Sequence, residues 1–284
     1  MGIDQTKQAE YPHFMNPFAK LAGFVLLAAA LNSYAAPVEI IAHRGASYDA
    51  PENTMSSIRL AWERKADAVE IDVMLSKNGR IVLFHDRTLK RLAGREGKVS
   101  DLTVDQLLKL DVGKWKGKQW TGERIPLLAD ALATIPENKR MFVELKTGPE
   151  IVPELKRVVA AARKSAEQIV FISFNHDTCV RIKREIPGHV VAHISSYRNP
   201  PDPAKPTPTI EQLIAGAKAG KLDALDLDGR GGIGATEAQK IKAAGLGFYV
   251  WTINDPKLAR ELITGGVEGI TTDRPGWLRE QLAK

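Results

Sequence analysis

The chain has 284 residues, a single cysteine and a formal net charge of +6, with 44% hydrophobic and 26% charged residues. One cysteine excludes an internal disulfide, and a chain of this length can bury a sizeable core without one. The positive excess is spread along the sequence with no basic run, which argues against nucleic acid as a partner and favours anionic small molecules.

The first segment reads as an address label. Leu21 to Leu31 is apolar, follows Lys20, and precedes Asn32-Ser33-Tyr34-Ala35-Ala36-Pro37. It is shorter than the roughly 18 residues a membrane span needs, and Ser33 and Ala35 supply small residues at the spacing of a cleavage site. We therefore expect a signal peptide over residues 1–35, cleaved after Ala35, and an exported chain, periplasmic or secreted, with no stable membrane span after cleavage. Met15 begins a more typical signal than Met1, and an uncleaved anchor is the alternative. Cleavage removes Lys7 and Lys20 against Asp4 and Glu10, so the charge stays at +6. Cys179 is far from this segment, which argues against a lipid-anchored cysteine.

From Val38 onward, strand-like runs carry polar groups at their ends. Ile40-Ile41-Ala42 runs into His43-Arg44-Gly45, where the glycine permits a sharp turn or the close approach of a ligand. In Ala68-Val69-Glu70-Ile71-Asp72-Val73 the i, i+2 spacing puts both carboxylates on one face of a strand. Arg80 to Phe84 ends on His85-Asp86, and Met141-Phe142-Val143 ends on Glu144-Leu145-Lys146. Burying several unpaired charges is costly, so these groups are expected to converge on a site containing a counter-charge.

Further strands are expected at 168–173, 189–194, 223–228, 247–252 and 268–272. Helical stretches lie between most strands: 53–64, 150–164, 177–185, 210–218, 236–244 and 256–263. This alternation predicts a parallel sheet with crossover helices, and the length suits a (β/α)8 TIM barrel in the α/β class over residues 36–284. A doubly wound open sheet is the competing fold, although no Gly-rich dinucleotide loop follows the first strand. Two stretches break the rhythm. Residues 87–126, with Trp115 and Trp120, read as an insertion that shapes the mouth of the site. Tyr197 to Thr209 holds five prolines and reads as an extended loop at the same rim.

The set His43-Arg44-Gly45, Pro51-Glu52-Asn53-Thr54, Glu70-Ile71-Asp72, His85-Asp86, Val143-Glu144-Leu145-Lys146, Trp251-Thr252-Ile253-Asn254 and Thr272-Asp273-Arg274-Pro275 resembles the glycerophosphodiester phosphodiesterase family. The resemblance covers nearly all of the chain after the signal, including an insertion ending in Ile125-Pro126-Leu127-Leu128. It implies hydrolysis of a glycerophosphodiester to glycerol 3-phosphate and an alcohol. Glu70, Asp72 and Glu144 would hold a divalent cation, and an oxygen-only ligand set independently favours Mg²⁺ or Ca²⁺. His43 and His85 would be the acid-base pair, a role suited to an imidazole pKa near working pH. Arg44 could fork onto phosphate oxygens, with Lys146 as a second cation. Glu52 and Trp251 would complete the substrate site. Which histidine is the acid, the preferred alcohol and the oligomeric state stay open.

Structural roles compete at several positions. Asn53 reads as the cap of the first helix and Asp273 as an N-cap region before Pro275. His176 and Asp177 read as caps of the following helix, and His189 and His193 as structural. Two alternatives to the hydrolase remain: a lysophospholipase D-type lipid phosphodiesterase on the same barrel, with Trp115 and Trp120 forming an apolar entry, and a non-catalytic phosphodiester binder.

Overall fold

In a computed structural model, residues 38–284 apart from 202, 205 and 206 are described. The expected export signal lies outside the described residues. The alternating apolar runs and amphipathic segments form, in chain order, β1 (Glu39–Ala42), α1 (Met55–Glu63), β2 (Ala68–Leu75), β3 (Ile81–Leu83), α2 (Lys90–Ala93), α3 (Val104–Leu107), α4 (Leu128–Ala133), β4 (Arg140–Leu145), α5 (Val152–Ala162) and β5 (Ile169–Ser173). There follow α6 (His176–Glu185), β6 (Val190–Ser195), α7 (Ile210–Ala219), β7 (Ala224–Asp228), α8 (Ala235–Ala243), β8 (Gly247–Trp251), α9 (Pro256–Gly265), β9 (Gly269–Thr272) and α10 (Pro275–Leu282).

Eight of these strands run parallel in the order β1-β9-β8-β7-β6-β5-β4-β2, and β1 pairs back with β2 to close the ring. Each is followed by a helix, in the case of β2 after the intervening β3, so the fold is the expected (β/α)8 barrel and not an open sheet. The run ending at His85 departs from the parallel pattern. As β3 it folds back antiparallel on β2, with Val73 opposite Leu83, and stays outside the ring.

Strand alternation divides the apolar residues between two cores. Lumen-facing side chains, including Ile41, Phe142, Val170, Ala192 and Tyr249, fill the lower barrel, with Phe142 and Tyr249 edge to face at 5.2 Å. The opposite faces pack beneath the helices in a larger cluster. The insertion has a small core of its own, built from Leu89, Leu92, Val99, Leu107, Val112 and Ile125 against Phe84. It is therefore a folded extension rather than a bare loop. Among the described residues, no helix is long and apolar enough to cross a membrane. Cys179 is buried, and burial pushes its thiol up to about 12, so it is not poised as a nucleophile.

Three caps differ from expectation, for local reasons. Thr54, not Asn53, caps α1, because Thr54 Oγ1 accepts from Ser57 N and Ser57 Oγ accepts from Thr54 N in a reciprocal box. Asn175, one residue before the expected pair, caps α6 by accepting from Thr178 N. Arg274 occupies the N-cap position of α10, and the Asp273 side chain points elsewhere.

Gly45 ties the first strand to α1. Its φ of +79° lies in the left-handed region, and a Cβ there would sit 2.5 Å from the Ser57 backbone carbonyl carbon. Both the conformation and the close approach require glycine. Gly45→Ala is expected to destabilise the protein by more than about 2 kcal/mol in urea unfolding.

Candidate active site

The C-terminal ends of the barrel strands bring the expected residues together. His43, Arg44, Glu70, His85, Glu144, Lys146 and Trp251 line one cavity of about 180 Å³. Glu52 lies in an adjoining opening with Arg91, Trp115 and Lys116.

The register explains the carboxylate cluster. Asp72 on β2 lies beside Glu144 on β4, and Glu70 is one inward position below Asp72 on the same strand. Ligand oxygens of Glu70, Asp72 and Glu144 lie within 4.8 Å of one another. Two local devices hold the cluster. Asn53, with φ +56°, donates from Nδ2 to Asp72 Oδ2 at 2.8 Å and accepts from Asp72 N at 3.0 Å. Arg44, with φ +54°, donates its backbone N–H to Glu70 Oε2 at 2.9 Å. These positive angles are sparsely populated away from glycine, and here they aim site groups.

Charge is unevenly shared among the three acids. Burial alone would raise Asp72, but Arg44, Lys146 and His85 hold it at about 2. Burial raises Glu70 well above the carboxylate range, with Asp72 and Glu144 adding repulsion. Glu144 is raised to about 7 by burial and by Asp72, although Lys146 Nζ donates to it at 2.6 Å. Glu70 Oε1 and Asp72 Oδ1 are buried acceptors with no hydrogen-bond partner. Crowded, under-bonded carboxylate oxygens beside an open cavity fit a hard divalent cation, which would satisfy them and relieve their repulsion.

Each histidine is backed by an aspartate. His43 Nδ1 lies 2.6 Å from Asp273 Oδ1, and Asp273 is itself held by Asn254 Nδ2 at 2.6 Å and Ser47 Oγ at 3.1 Å. Asp273 therefore orients a site histidine instead of capping α10. His85 Nδ1 lies 2.8 Å from Asp86 Oδ1, which also accepts from Arg91. With Nδ1 beside a carboxylate, each ring has Nε2 left for other contacts. Burial lowers His85, opposed by Asp72. Burial would raise Asp273, but its bond to His43 holds it at about 2.

Glu52 is paired with two cations beside the cavity. Its carboxylate accepts from Arg44 Nη1 at 2.7 Å and from Arg91 Nη1 and Nη2 at 2.7 and 2.8 Å. A carboxylate would repel phosphate, so Glu52 positions Arg44 and ties the insertion to the barrel. Trp251 forms part of the wall, 5.6 Å from Phe174 and perpendicular to it within about 16°, at an interplanar angle of 74°. Trp115 is exposed at the mouth, with Arg91 and Lys116 at 5.7 and 5.6 Å from its ring. His189 packs at a tilt against Phe171 and His193 edge to face against His176, in line with structural roles. The sequence reading missed Asp226, which also lines the cavity. The i, i+2 acids of Asp226-Leu227-Asp228 repeat the pattern that revealed Glu70 and Asp72, so the signal was available.

A barrel that gathers an oxygen-ligand cation site, two Asp-backed imidazoles and an Arg–Lys pair at its C-terminal mouth is built as a hydrolase for an anionic ester. The comparisons with known proteins agree. The model of the glycerophosphoryl diester phosphodiesterase family matches residues 43–277, and the chain belongs to that family. The YhdW protein of Bacillus subtilis is 33% identical over 245 residues, covering 84% of this chain and 96% of the relative. A glycerophosphodiester phosphodiesterase of Caldanaerobacter subterraneus subsp. tengcongensis is 29% identical over 255 residues, covering 83% and 94%. A phosphodiesterase of Oleispira antarctica, solved with its product sn-glycerol-3-phosphate, superposes with a TM-score of 0.77 at 29% identity, covering 87% of this chain and 97% of that one. The family is divalent-metal dependent, in keeping with the acidic cluster.

The raised carboxyls give a signed pH dependence. Glu70 and Glu144 bind protons in the folded protein at pH values where the unfolded chain has released them. The stability they contribute is thus present at low pH and lost as pH rises through their folded values. Asp72 and Asp273, held low, complete their titration below this window. The melting temperature of chelator-treated protein is expected to fall as pH rises from about 4.5 to about 7, the interval between the ordinary carboxylate value and that of folded Glu144, and a saturating divalent cation should flatten that slope. Identical slopes with and without cation would contradict a cation at these carboxylates.

Proposed function

We propose that the protein hydrolyses glycerophosphodiesters to glycerol 3-phosphate and an alcohol, using His43 and His85 as the acid-base pair. The observation that carries this reading is the arrangement of both imidazoles, each fixed through Nδ1 by an aspartate, around one cavity with Arg44, Lys146 and the carboxylate cluster. Glu70, Asp72 and Glu144 hold the cation, Mg²⁺ or Ca²⁺, which when bound offsets charge on the phosphoryl oxygens. Arg44 and Lys146 bind the phosphoryl group and Trp251 bounds the substrate cavity.

One imidazole accepts a proton at Nε2 from the attacking oxygen as a new P–O bond forms. The other gives a proton from Nε2 to the departing oxygen as the old P–O bond breaks, so the leaving group is a neutral alcohol. Asp273 and Asp86 keep the Nδ1 proton in place and stabilise whichever ring becomes cationic. Arg44 remains charged throughout, because Asp72, Glu52 and Glu70 more than offset the effect of its burial.

The test is release of glycerol 3-phosphate from glycerophosphocholine. Chelation should abolish it and Mg²⁺ or Ca²⁺ should restore it; full activity after exhaustive dialysis with chelator would refute the cation assignment. His43→Ala and His85→Ala should each lower kcat by at least ~10²-fold. With an activated phenol as leaving group, only the variant lacking the general acid should recover, because a phenoxide departs without a proton. Undiminished kcat in both folded variants would overturn the mechanism.

Export also belongs to this reading, supported by the Lys20 to Ala36 sequence. Mass spectrometry of the protein from its native cell should find a chain beginning at Ala36 or Pro37 outside the cytoplasm. Recovery of an intact chain from Met1 or Met15 in the cytoplasm would contradict it.

A further inference from the structure

One buried acid in the cavity has no part in the chemistry above. Asp226 is on β7, which stands opposite β2 in the eight-strand ring, so it faces Glu70 and Asp72 across the lumen. It is only 2% exposed, yet it lines the same cavity as both histidines, Arg44 and Lys146. Its Oδ1 is buried with no hydrogen-bond partner, and its side chain has no ion pair among the described residues. The nearby Trp251 indole donates to the Asp226 main-chain carbonyl at 3.2 Å, not to the carboxyl. Ile194 is its register neighbour, and Ile172 shares the wall.

The cations of the site are engaged elsewhere. Arg44 is committed to Glu52 and Asp72, and Lys146 to Glu144 and Asp72. Burial, with the charge of Glu144 added, pushes Asp226 up to about 8. An unbonded carboxyl among apolar walls weakens a fold. Its presence beside the cavity is explained if its partner arrives with the substrate. A phosphoryl group is drawn to Arg44 and Lys146 on the far side, and a carboxyl that is mostly protonated at neutral pH offers it no counter-charge. The partner is therefore a neutral hydroxyl, and a cavity of about 180 Å³ suits a three-carbon polyol.

Resting on the glycerophosphodiesterase reading, we infer that Asp226 is a specificity-determining residue that hydrogen-bonds the terminal hydroxyl of the substrate's glyceryl group. A lysophospholipid carries its acyl chain on that oxygen and would leave the carboxyl buried without a partner. The same contact thus selects free glyceryl esters over acylated ones.

The experiment compares kcat/KM of wild type, Asp226→Asn and Asp226→Leu on glycerophosphocholine and on its 2-hydroxypropyl analogue. The analogue lacks only the terminal hydroxyl. Wild type should prefer glycerophosphocholine by at least ~10-fold, since a site built around a hydroxyl rejects the analogue without it. Asp226→Leu should bring the ratio close to one, while Asp226→Asn, whose amide still bonds a hydroxyl, keeps most of it. Asp226→Leu should also melt at a higher temperature than wild type, because it removes an unbonded buried acid. Three results with the variants would overturn the inference: an unchanged ratio in Asp226→Leu, a lowered melting temperature in both variants, or recovery of Asp226→Leu at raised cation concentration, which would make Asp226 a metal ligand. Wild type that turns over both substrates equally would refute the role of Asp226 alone. Wild type that turns over neither of these, nor glycerophosphoethanolamine, would refute the phosphodiesterase reading itself.

Discussion

The site depends on an excess of buried negative charge. Glu70, Asp72, Glu144 and Asp226 all point into the upper barrel, and Arg44 and Lys146 are the cations placed among them. Opposite charges lower the cost of such burial but do not remove it here, since Glu70 is held well above its ordinary range, Glu144 at about 7 and Asp226 at about 8 in the absence of further positive charge. A hard divalent cation among Glu70, Asp72 and Glu144 would resolve most of that imbalance. The barrel is the scaffold that can tolerate it, because the parallel ring satisfies its own backbone hydrogen bonds and leaves the upper lumen free for side chains.

The same charge arrangement orders the surrounding polar contacts. Asn53 and the Arg44 main chain take left-handed conformations in order to bond Asp72 and Glu70, and Gly45 allows the chain to pass close against α1 immediately afterwards. Glu52 gathers Arg44 and Arg91, and Arg91 in turn bonds Asp86 behind His85. The insertion is thus joined to the catalytic centre through one carboxylate and one guanidinium. A folded insertion with its own apolar core can hold Arg91 steady in a way that a loose loop could not.

Much of this was legible before any coordinates. Alternating runs of apolar strands and amphipathic helices reported the barrel because each element repeats its period over several residues. The i, i+2 acids at Glu70 and Asp72 and the terminal polar groups at His43, His85 and Lys146 reported the site because strand alternation fixes their face. Other contacts could not be read in this way. The pairing of Asp273 with His43 joins the two ends of the barrel sequence and depends on ring closure between β9 and β1, which no local pattern encodes. Proximity to Pro275 made a helix cap the natural local reading. Likewise the Glu52 pairing with Arg91 crosses from the first loop into the insertion, and the reversal of β3 follows from a tight turn between strands that each looked ready for the ring.

Asp226 belongs to a different category, since the pattern that revealed Glu70 and Asp72 also runs through Asp226 and Asp228. What separates the two pairs is their surroundings. Glu70 and Asp72 have cationic or amide neighbours, whereas Asp228 bonds Arg198 and Arg230 at the rim and Asp226 has no such partner in the lumen. A strand pattern fixes which face an acid occupies, but whether the acid is structural, a metal ligand or a substrate contact is decided by the strand across the ring. For Asp226 that strand is β2, and the groups it presents are acids. Burial, with the charge of Glu144 added, disfavours the ionised carboxyl, which leaves a hydroxyl-bearing ligand as the partner that satisfies it without disturbing the charge balance of the cation site.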